Sequence, residues 1–354
     1  MNNILVTGGA GFIGSNFLHH WIHNYPNDQV IVLDLLTYAG NYSTINTLIN
    51  ESKITFIKGN ICDLDLVKNI FDKYNIEKVV HFAAESHVDR SILESGKFIN
   101  TNIVGTHVLL ATALEAWGND FYNKHFHHVS TDEVYGDLGL ESAPFTENTA
   151  YAPRSPYAAS KASSDHLVRV FYTTYELPIT ISNCSNNYGP YQFPEKLIPL
   201  MLINCLEGKK LPVYGNGLNI RDWLHVDDHC TAIMKIIKLG KNGDTYNVGG
   251  ENQITNIELI KKLCDLLDKK ISQDMQYIEH FPNCSVSNNR KSHSLIEFVE
   301  DRLGHDSRYA IDPKKIKIEL GFTPQVDFID GISATINWYL CNEAWWRSLL
   351  QERY

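Results

Sequence analysis

The sequence predicts an α/β protein, a doubly wound parallel sheet carrying a smaller, partly interleaved lobe. Three observations predict it. Short, continuously apolar runs alternate with segments of helical spacing; the first run enters a glycine-rich turn that opens a helix; and beyond residue 185 the alternation gives way to proline- and glycine-bearing loops between short helices. A chain of 354 residues, 44% hydrophobic and 20% charged, can bury a large core and has the composition of a soluble globular protein. A net charge of -10 argues against general nucleic-acid binding, which wants a basic face. No apolar run reaches the length of a membrane span, and Met1 leads straight into an apolar β-like run, so a cytoplasmic protein is expected.

Ile4-Leu5-Val6-Thr7 reads as the first strand, and Gly8-Gly9-Ala10-Gly11-Phe12-Ile13-Gly14 follows it directly before a helix. Glycines there allow a tight turn and close approach of the backbone to a pyrophosphate, and the helix N-terminus faces the anion. A second strand, Val30 to Leu33, ends in Asp34, twenty residues beyond Gly14. An acid at that place hydrogen-bonds ribose hydroxyls and repels a 2′-phosphate. With Leu35 and Leu36 following and no arginine, NAD is favoured over NADP.

Strand three is expected at Ile54 to Ile57, a helix from Leu64 to Tyr74, and strand four at Lys78 to Phe82. Ala83 and Ala84, small residues at that strand's carboxyl end, would let a cofactor lie against the backbone. Asn102 to Trp117 has helical spacing, and Phe126 to Ser130 forms strand five. It delivers Ser130-Thr131-Asp132-Glu133-Val134-Tyr135-Gly136: a hydroxyl and two adjacent carboxylates at a buried strand end. If water is excluded, two such acids separate in pKa, one serving as acid and one as base.

After Pro153 and Pro156 comes Tyr157-Ala158-Ala159-Ser160-Lys161. A spacing of four places the phenol and the ammonium on one helix face, where the lysine charge is expected to lower the phenol pKa. Pro178 to Ser185 reads as a further strand. Helices are then expected at Leu197 to Leu206, Ile257 to Leu267 and Ile329 to Leu340, with Asp227 to Leu239 returning to the first domain and a compositionally loose stretch at Asn283 to Ser294. The division is residues 1–185 for the dinucleotide-binding domain, with 220–240 returning to it, and 186–354 mainly for the lobe. In the lobe, Arg221, Arg302 and His305 suit phosphate oxygens and Tyr214 offers a flat surface to a pyrimidine. The seven cysteines are scattered singly, so core thiols are expected rather than disulfides. His125, His127 and His128 read as a surface approach to a strand, and no metal site is expected.

GGAGFIG, the Tyr157/Lys161 pair and strand-end Thr131 resemble the extended short-chain dehydrogenase/reductase family. AAESHVDRS (83–91), STDEVYG (130–136), YAASKASSD (157–165), NNYGPYQFPEKLIPL (186–200), LPVYGNGLNIRDWLHVDDH (211–229) and DRLGHDSRYAID (301–312) resemble its nucleotide-sugar 4,6-dehydratase subgroup. Related decarboxylases and GDP-mannose dehydratases share a strand-end Ser/Thr-x-Glu, and 4-epimerases keep hydroxyls; Asp132 beside Glu133 points to this subgroup.

The resemblance implies a nucleotide-sugar hydro-lyase with bound NAD, acting through Thr131, Asp132, Glu133, Tyr157 and Lys161. It implies cofactor contacts from Gly8, Gly11, Phe12, Ile13, Gly14, Asp34, Thr37, Asn60, Ile61, Ala83, Ala84, Tyr157, Lys161 and Asn187. Sugar-nucleotide contacts are implied for Ser86, Thr131, Asn186, Lys196, Leu197, Pro212, Val213, Tyr214, Arg221, Asn256, Arg302 and His305. A homodimer through helices near 98–117 and 157–175 is also implied. Two positions depart from the family: Asn60 stands where Asp is usual, and Leu303 replaces a proline. Rival readings are a dehydratase of UDP-glucose, a 4-epimerase, and a non-catalytic NAD-binding redox sensor. The last has no need for Asp132, Glu133, Tyr157 and Lys161 together.

Overall fold

The computed structural model describes residues 2–302 and 304–351. Seven parallel strands form the central sheet: β1 (Asn3–Thr7), β2 (Gln29–Asp34), β3 (Thr55–Lys58), β4 (Lys78–His81), β5 (His125–Thr131), β6 (Ile179–Cys184) and, after three strands of the lobe, β10 (Thr245–Val248). Their spatial order is β10-β6-β5-β4-β1-β2-β3. Thr7 pairs with both Leu33 and His81, His81 with His128, and Thr131 with Cys184, so the carboxyl ends of the central strands lie level along one edge.

Alternation along each strand divides the core in two. Leu5, Ile31, Leu33, Val79 and Phe126 face Val67, Ile70, Leu109, Leu110 and Val168 on three helices. Ile4, Val6, Val30, Val32 and Val129 face Phe17 and Leu18 on one side chain layer and Val226, Cys230 and Ile233 of the helix Val226–Leu239 on the same side. Both faces are covered, which is why the strands read as continuous apolar runs.

Helix ends follow local chemistry. Asp63 caps Leu64–Tyr74 through Leu66 N, and Asn75 closes it in the left-handed region at φ 47°. Ser155 caps Pro156–Tyr175 through Ala158 N, with Pro156 in the first turn, where its missing N–H costs nothing. The helix expected from Asn102 begins earlier: Ser95–Phe98 runs through a π-helical turn, Ile99–Gly105, into Thr106–Trp117. In that wide turn Asn102 accepts from Glu85 N and donates to Glu85 O and Ser160 Oγ.

The lobe packs Leu197–Leu206, Asn256–Ser272 and Phe328–Cys341 around Tyr188, Trp223 and Trp346. Small sheets join it to the rest: β7 (Asn186–Tyr188) with β9 (Ile220–His225) and β11 (Gln253–Thr255), and β8 (Leu211–Tyr214) with β12 (Ile296–Val299). Asn256–Ser272 starts from a capping box between Thr255 and Glu258. The loose stretch 283–294 folds into two short 3₁₀ turns over this helix, tied by Ser292 N to Asp268 Oδ2. Strand β10 was not foreseen in the sequence: Thr245-Tyr246-Asn247-Val248 lacks the continuous apolar run that marks the other short strands of the central sheet.

The histidine reading needs correction. His125, His127 and His128 lie in β5 and are buried, not on a surface approach. A central strand covered on both faces has no wet side, and β6 satisfies the rings instead: Thr180 Oγ1 sits 2.8 Å from His125 Nε2 and 2.9 Å from His127 Nδ1, and Ser182 Oγ 3.1 Å from His127 Nε2. All seven cysteines are free thiols, five of them buried. No described helix is long and apolar enough to cross a membrane.

Candidate active site

A cavity of about 320 Å³ opens along the carboxyl ends of β1, β2, β4, β5 and β6. Its floor begins at the glycine turn. Gly8 has φ +71°, and a Cβ on it would lie 2.5 Å from Ala83 N; one on Gly14 would lie 2.3 Å from Gly8 O. Only glycine lets strand, turn and helix close this tightly. Gly11 caps Phe12–Asn24 without a side-chain partner for the first turn, and no acidic residue stands in that turn. Its backbone donors and dipole therefore face the cavity, as an anion requires. Asp34 receives Ala10 N at Oδ2 (2.9 Å) and Leu36 N at Oδ1 (2.8 Å), which fixes the carboxylate and leaves lone pairs for hydroxyls. Thr37, Asn60, Ile61, Ala83 and Ala84 complete this wall; Asn60 Oδ1 also accepts from Cys62 N at 2.9 Å. These residues fit a dinucleotide whose ribose hydroxyls meet Asp34.

The carboxylates stand at the opposite wall, on a 3₁₀ turn (Asp132–Tyr135) that Thr131 caps through Glu133 N. Thr131, Asp132 and Glu133 all line the cavity. Asp132 is 2% exposed, and its Oδ2 has no hydrogen-bond partner among the described residues. Burial, with Glu133 next, pushes its pKa well above the usual carboxylate range. Burial also raises Glu133, but Arg221, Lys196 and Arg302 oppose that rise. Both acids are raised, but Asp132 further, because only Glu133 has three cations opposing the effect of burial.

Tyr157 and Lys161 face the same cavity from Pro156–Tyr175. Here the structure overturns an expectation. The phenol pKa is raised well above its usual value, by burial first and then by Glu133 and Cys184, with only the Thr131 hydroxyl lowering it. The cause is placement. Lys161 Nζ donates to Val129 O at 2.9 Å and lies 3.4 Å from His128 Nε2, and burial draws its own pKa down to about 8.

Of the expected sugar-nucleotide residues, Ser86, Thr131, Asn186 and Lys196 line the cavity; Lys196 Nζ reaches Ser86 O at 3.3 Å. Asn187, expected beside the cofactor, lines it too and holds His229 Nδ1 at 2.9 Å. Leu197, Pro212, Val213, Tyr214, Arg221, Asn256, Arg302 and His305 are not among its lining residues. Their cations are engaged with protein. Arg302 Nε lies 2.6 Å from Asp89 Oδ1, His305 Nδ1 lies 2.7 Å from Asp301 Oδ1, and Arg221 donates to Asp306 O and lies over the Tyr309 ring. Arg302 also lies over Tyr214, 5.4 Å from the ring centre. Leu303 lies outside the described residues.

Sequence reading missed Glu85, Ser130, Cys184, Ser185, Gln192 and Glu195, which line the cavity, and Asp89, which holds Arg302. Ser130, Cys184 and Ser185 were signalled by strand ends alone. Among the described residues no group of three or more His, Cys, Asp or Glu side chains is placed to hold a metal.

The family model described as GDP-mannose 4,6 dehydratase matches residues 5–335. The dTDP-glucose 4,6-dehydratase of Neisseria meningitidis serogroup B is 49% identical over 358 residues, covering 100% of this chain and 98% of its own. The dTDP-glucose 4,6-dehydratase 1 of Escherichia coli K12 is 50% identical over 354 residues, covering 97% and 94%. Among solved structures, the dTDP-glucose 4,6-dehydratase of Streptomyces venezuelae with NAD bound superposes with a TM-score of 0.87 at 44% identity, covering 98% of this chain and 99% of that one.

Proposed function

The chain belongs to the GDP-mannose 4,6 dehydratase family, and from that premise we propose that it converts dTDP-glucose to dTDP-4-keto-6-deoxyglucose and water, with NAD as a resident cofactor. The observation that carries this reading is the pair Asp132 and Glu133, adjacent in sequence, facing one cavity and tuned apart in pKa. An epimerase or a redox sensor has no use for a buried neutral acid beside a strand-end carboxylate.

In this reading Gly11, Phe12, Ile13 and Asp34 hold the dinucleotide, and the lobe's Asn186, Lys196 and Arg221 face the sugar nucleotide. When bound, NAD supplies reversible hydride acceptance, from C4 of the sugar at the start and to C6 at the end, and a positive charge in its nicotinamide ring. Tyr157 takes the O4 proton while Thr131 holds the same oxygen. Its raised pKa means that it needs a nearby cation, and Lys161 supports it from the same helix face. The C4 ketone makes the C5 proton acidic, and Glu133 removes it. Asp132 gives its proton to the C6 hydroxyl as water leaves. Residues 1–185 with 220–240 then serve the cofactor and 186–354 mainly the sugar nucleotide, in a cytoplasmic homodimer.

The test is to incubate the purified protein with dTDP-glucose and with UDP-glucose separately, without added NAD, and read the alkaline absorbance of a 4-keto product. We expect product from dTDP-glucose. Product from UDP-glucose alone moves the substrate assignment, and none from either sinks the enzyme reading in favour of a cofactor-binding sensor.

A further inference from the structure

Beneath the catalytic face lies a buried polar chain that the mechanism does not use. Tyr157, Lys161 and Asp165 recur every four residues on Pro156–Tyr175, so they form one stripe of that helix. The stripe meets β5, where His128 and Ser130, two apart, present one strand face. Asp165 is fully buried. Its Oδ2 accepts from Ser130 Oγ at 2.9 Å and from Tyr151 OH at 2.8 Å; its Oδ1 lies 3.2 Å from His128 Nε2. The same imidazole nitrogen lies 3.4 Å from Lys161 Nζ and 3.3 Å from Ser164 Oγ. His128 Nδ1 has no partner among the described residues, so all of this ring's polar contacts, to Lys161, Ser164 and Asp165, meet at Nε2.

We propose that Asp165 is a positioning residue for the dehydration: its buried carboxylate, facing Lys161 across the one His128 nitrogen that both groups approach, is the through-space counter-ion that keeps Lys161 protonated on the helix face it shares with Tyr157. The proposal rests on the assignment of Tyr157 and Lys161 to the first proton transfer. It follows from what surrounds the ammonium. On β5, Val129 O is a neutral acceptor and His128 is uncharged, its pKa held at about 4 by burial. On β4, His81 is fully buried and neutral, bonded to Thr7 and Thr106 hydroxyls. On β6, Cys184 keeps its proton, since burial raises its thiol. On the helix itself, Tyr157 is neutral with its raised pKa, and Arg169, two turns on, is a like charge that donates to Tyr151 OH at 2.6 Å. Past the end of β5, burial raises the Asp132 pKa well above the usual range, and the charge of Glu133 is offset by the fields of Arg221, Lys196 and Arg302. Asp165 is left as the ionised group facing Lys161, and His128, Lys161 and Arg169 hold its pKa below the usual value against burial. Two hydrogen-bond donors on Oδ2, Ser130 Oγ and Tyr151 OH, stabilise that ionisation in the core, and an isolated ammonium there would lose its proton.

The experiment is the pH profile of kcat with dTDP-glucose, from about pH 6 to about pH 10, for the wild type and for Asp165→Asn, Asp165→Ser and Asp165→Glu. The alkaline limb is expected to move down by about one pH unit in both neutral variants, whatever their size, and to return toward the wild-type position with Glu. A second readout needs no turnover. A lysine whose folded pKa, about 8, lies below its unfolded value leaves the folded state with fewer protons, so stability rises with pH above about 8. In urea unfolding of the NAD-loaded protein, the Asn or Ser variant should begin that rise about one pH unit lower. A uniform loss of kcat with an unmoved limb, or an equal shift in the Glu variant, overturns the proposal, because packing rather than charge would then be responsible. Wild-type inactivity on dTDP-glucose sinks the function proposed above but leaves the unfolding comparison to decide on Asp165.

Discussion

The two walls of the site are built on different principles. The dinucleotide wall is finished: Gly8, Gly14, Asp34 and Ala83 are fixed by strand register and backbone hydrogen bonds. The lobe wall is held by side chains that have taken protein partners. Arg302 is with Asp89, His305 with Asp301, and Arg221 with Asp306 O. Backbone geometry cannot be exchanged for a ligand, whereas a part-exposed ion pair such as Arg302–Asp89 can, since its net worth is about 1 kcal/mol or less. The first wall is thus suited to a resident group and the second to one that comes and goes.

The largest expected effect tests where the walls meet. Glu133→Gln removes the base while keeping its shape and should lower kcat by about a thousandfold, within the range general base catalysis supplies. Solvent deuterium should no longer enter C5; retained exchange would assign the base elsewhere. The pH dependence has a definite sign. Burial raises the Glu133 pKa, and the base works ionised, so wild-type activity falls as pH drops through a value above the ordinary glutamate range. A limb at or below that range would mean that the opposing cations outweigh burial once substrate is bound.

Next is the finished wall. In Gly14→Ala the new methyl would sit 2.3 Å from Gly8 O and 2.9 Å from Gly9 Cα, both backbone, so the turn itself must shift. Overpacking of this kind costs about 1–3 kcal/mol, and the purified protein should carry much less NAD while its lobe remains folded. Wild-type NAD content in this variant would show that the turn is not what retains the cofactor.

Legibility in the sequence divides along the same line. Strand ends, the glycine turn, Asp34 and the Asp132–Glu133 pair were readable because period-two strands and a short turn fix side-chain direction within a few residues. Asn60 was reached as a cavity residue only through the resemblance, and its local bond to Cys62 N was not legible at all. The Tyr157–Lys161 spacing gave the shared helix face but not the sign of the phenol shift, which depends on burial and on Glu133 and Cys184 from other elements. The surroundings of His125, His127 and His128 were misread because closely spaced histidines look wet until the hydroxyls of a neighbouring strand are known. Asp89 was invisible as a partner because it lies 213 residues from Arg302, and nothing local announces such a pairing.

That pairing gives the smallest and most discriminating effect. Arg302 meets Asp89 in an ion pair, Nε 2.6 Å from Oδ1, with one hydrogen bond from an Nη nitrogen to Oδ2 at 3.2 Å, so a phosphate bound by Arg302 would compete with that carboxylate. The side chains are 27% and 37% exposed, which keeps the competition mild. If Arg302 leaves Asp89 for the diphosphate, Asp89→Asn weakens only the competitor, and KM for dTDP-glucose should fall by about two- to fivefold with kcat unchanged. Arg302→Ala should raise KM in turn. A rise in KM for Asp89→Asn would mean that the carboxylate orients Arg302 toward substrate, placing the pair with the fixed architecture of the first wall.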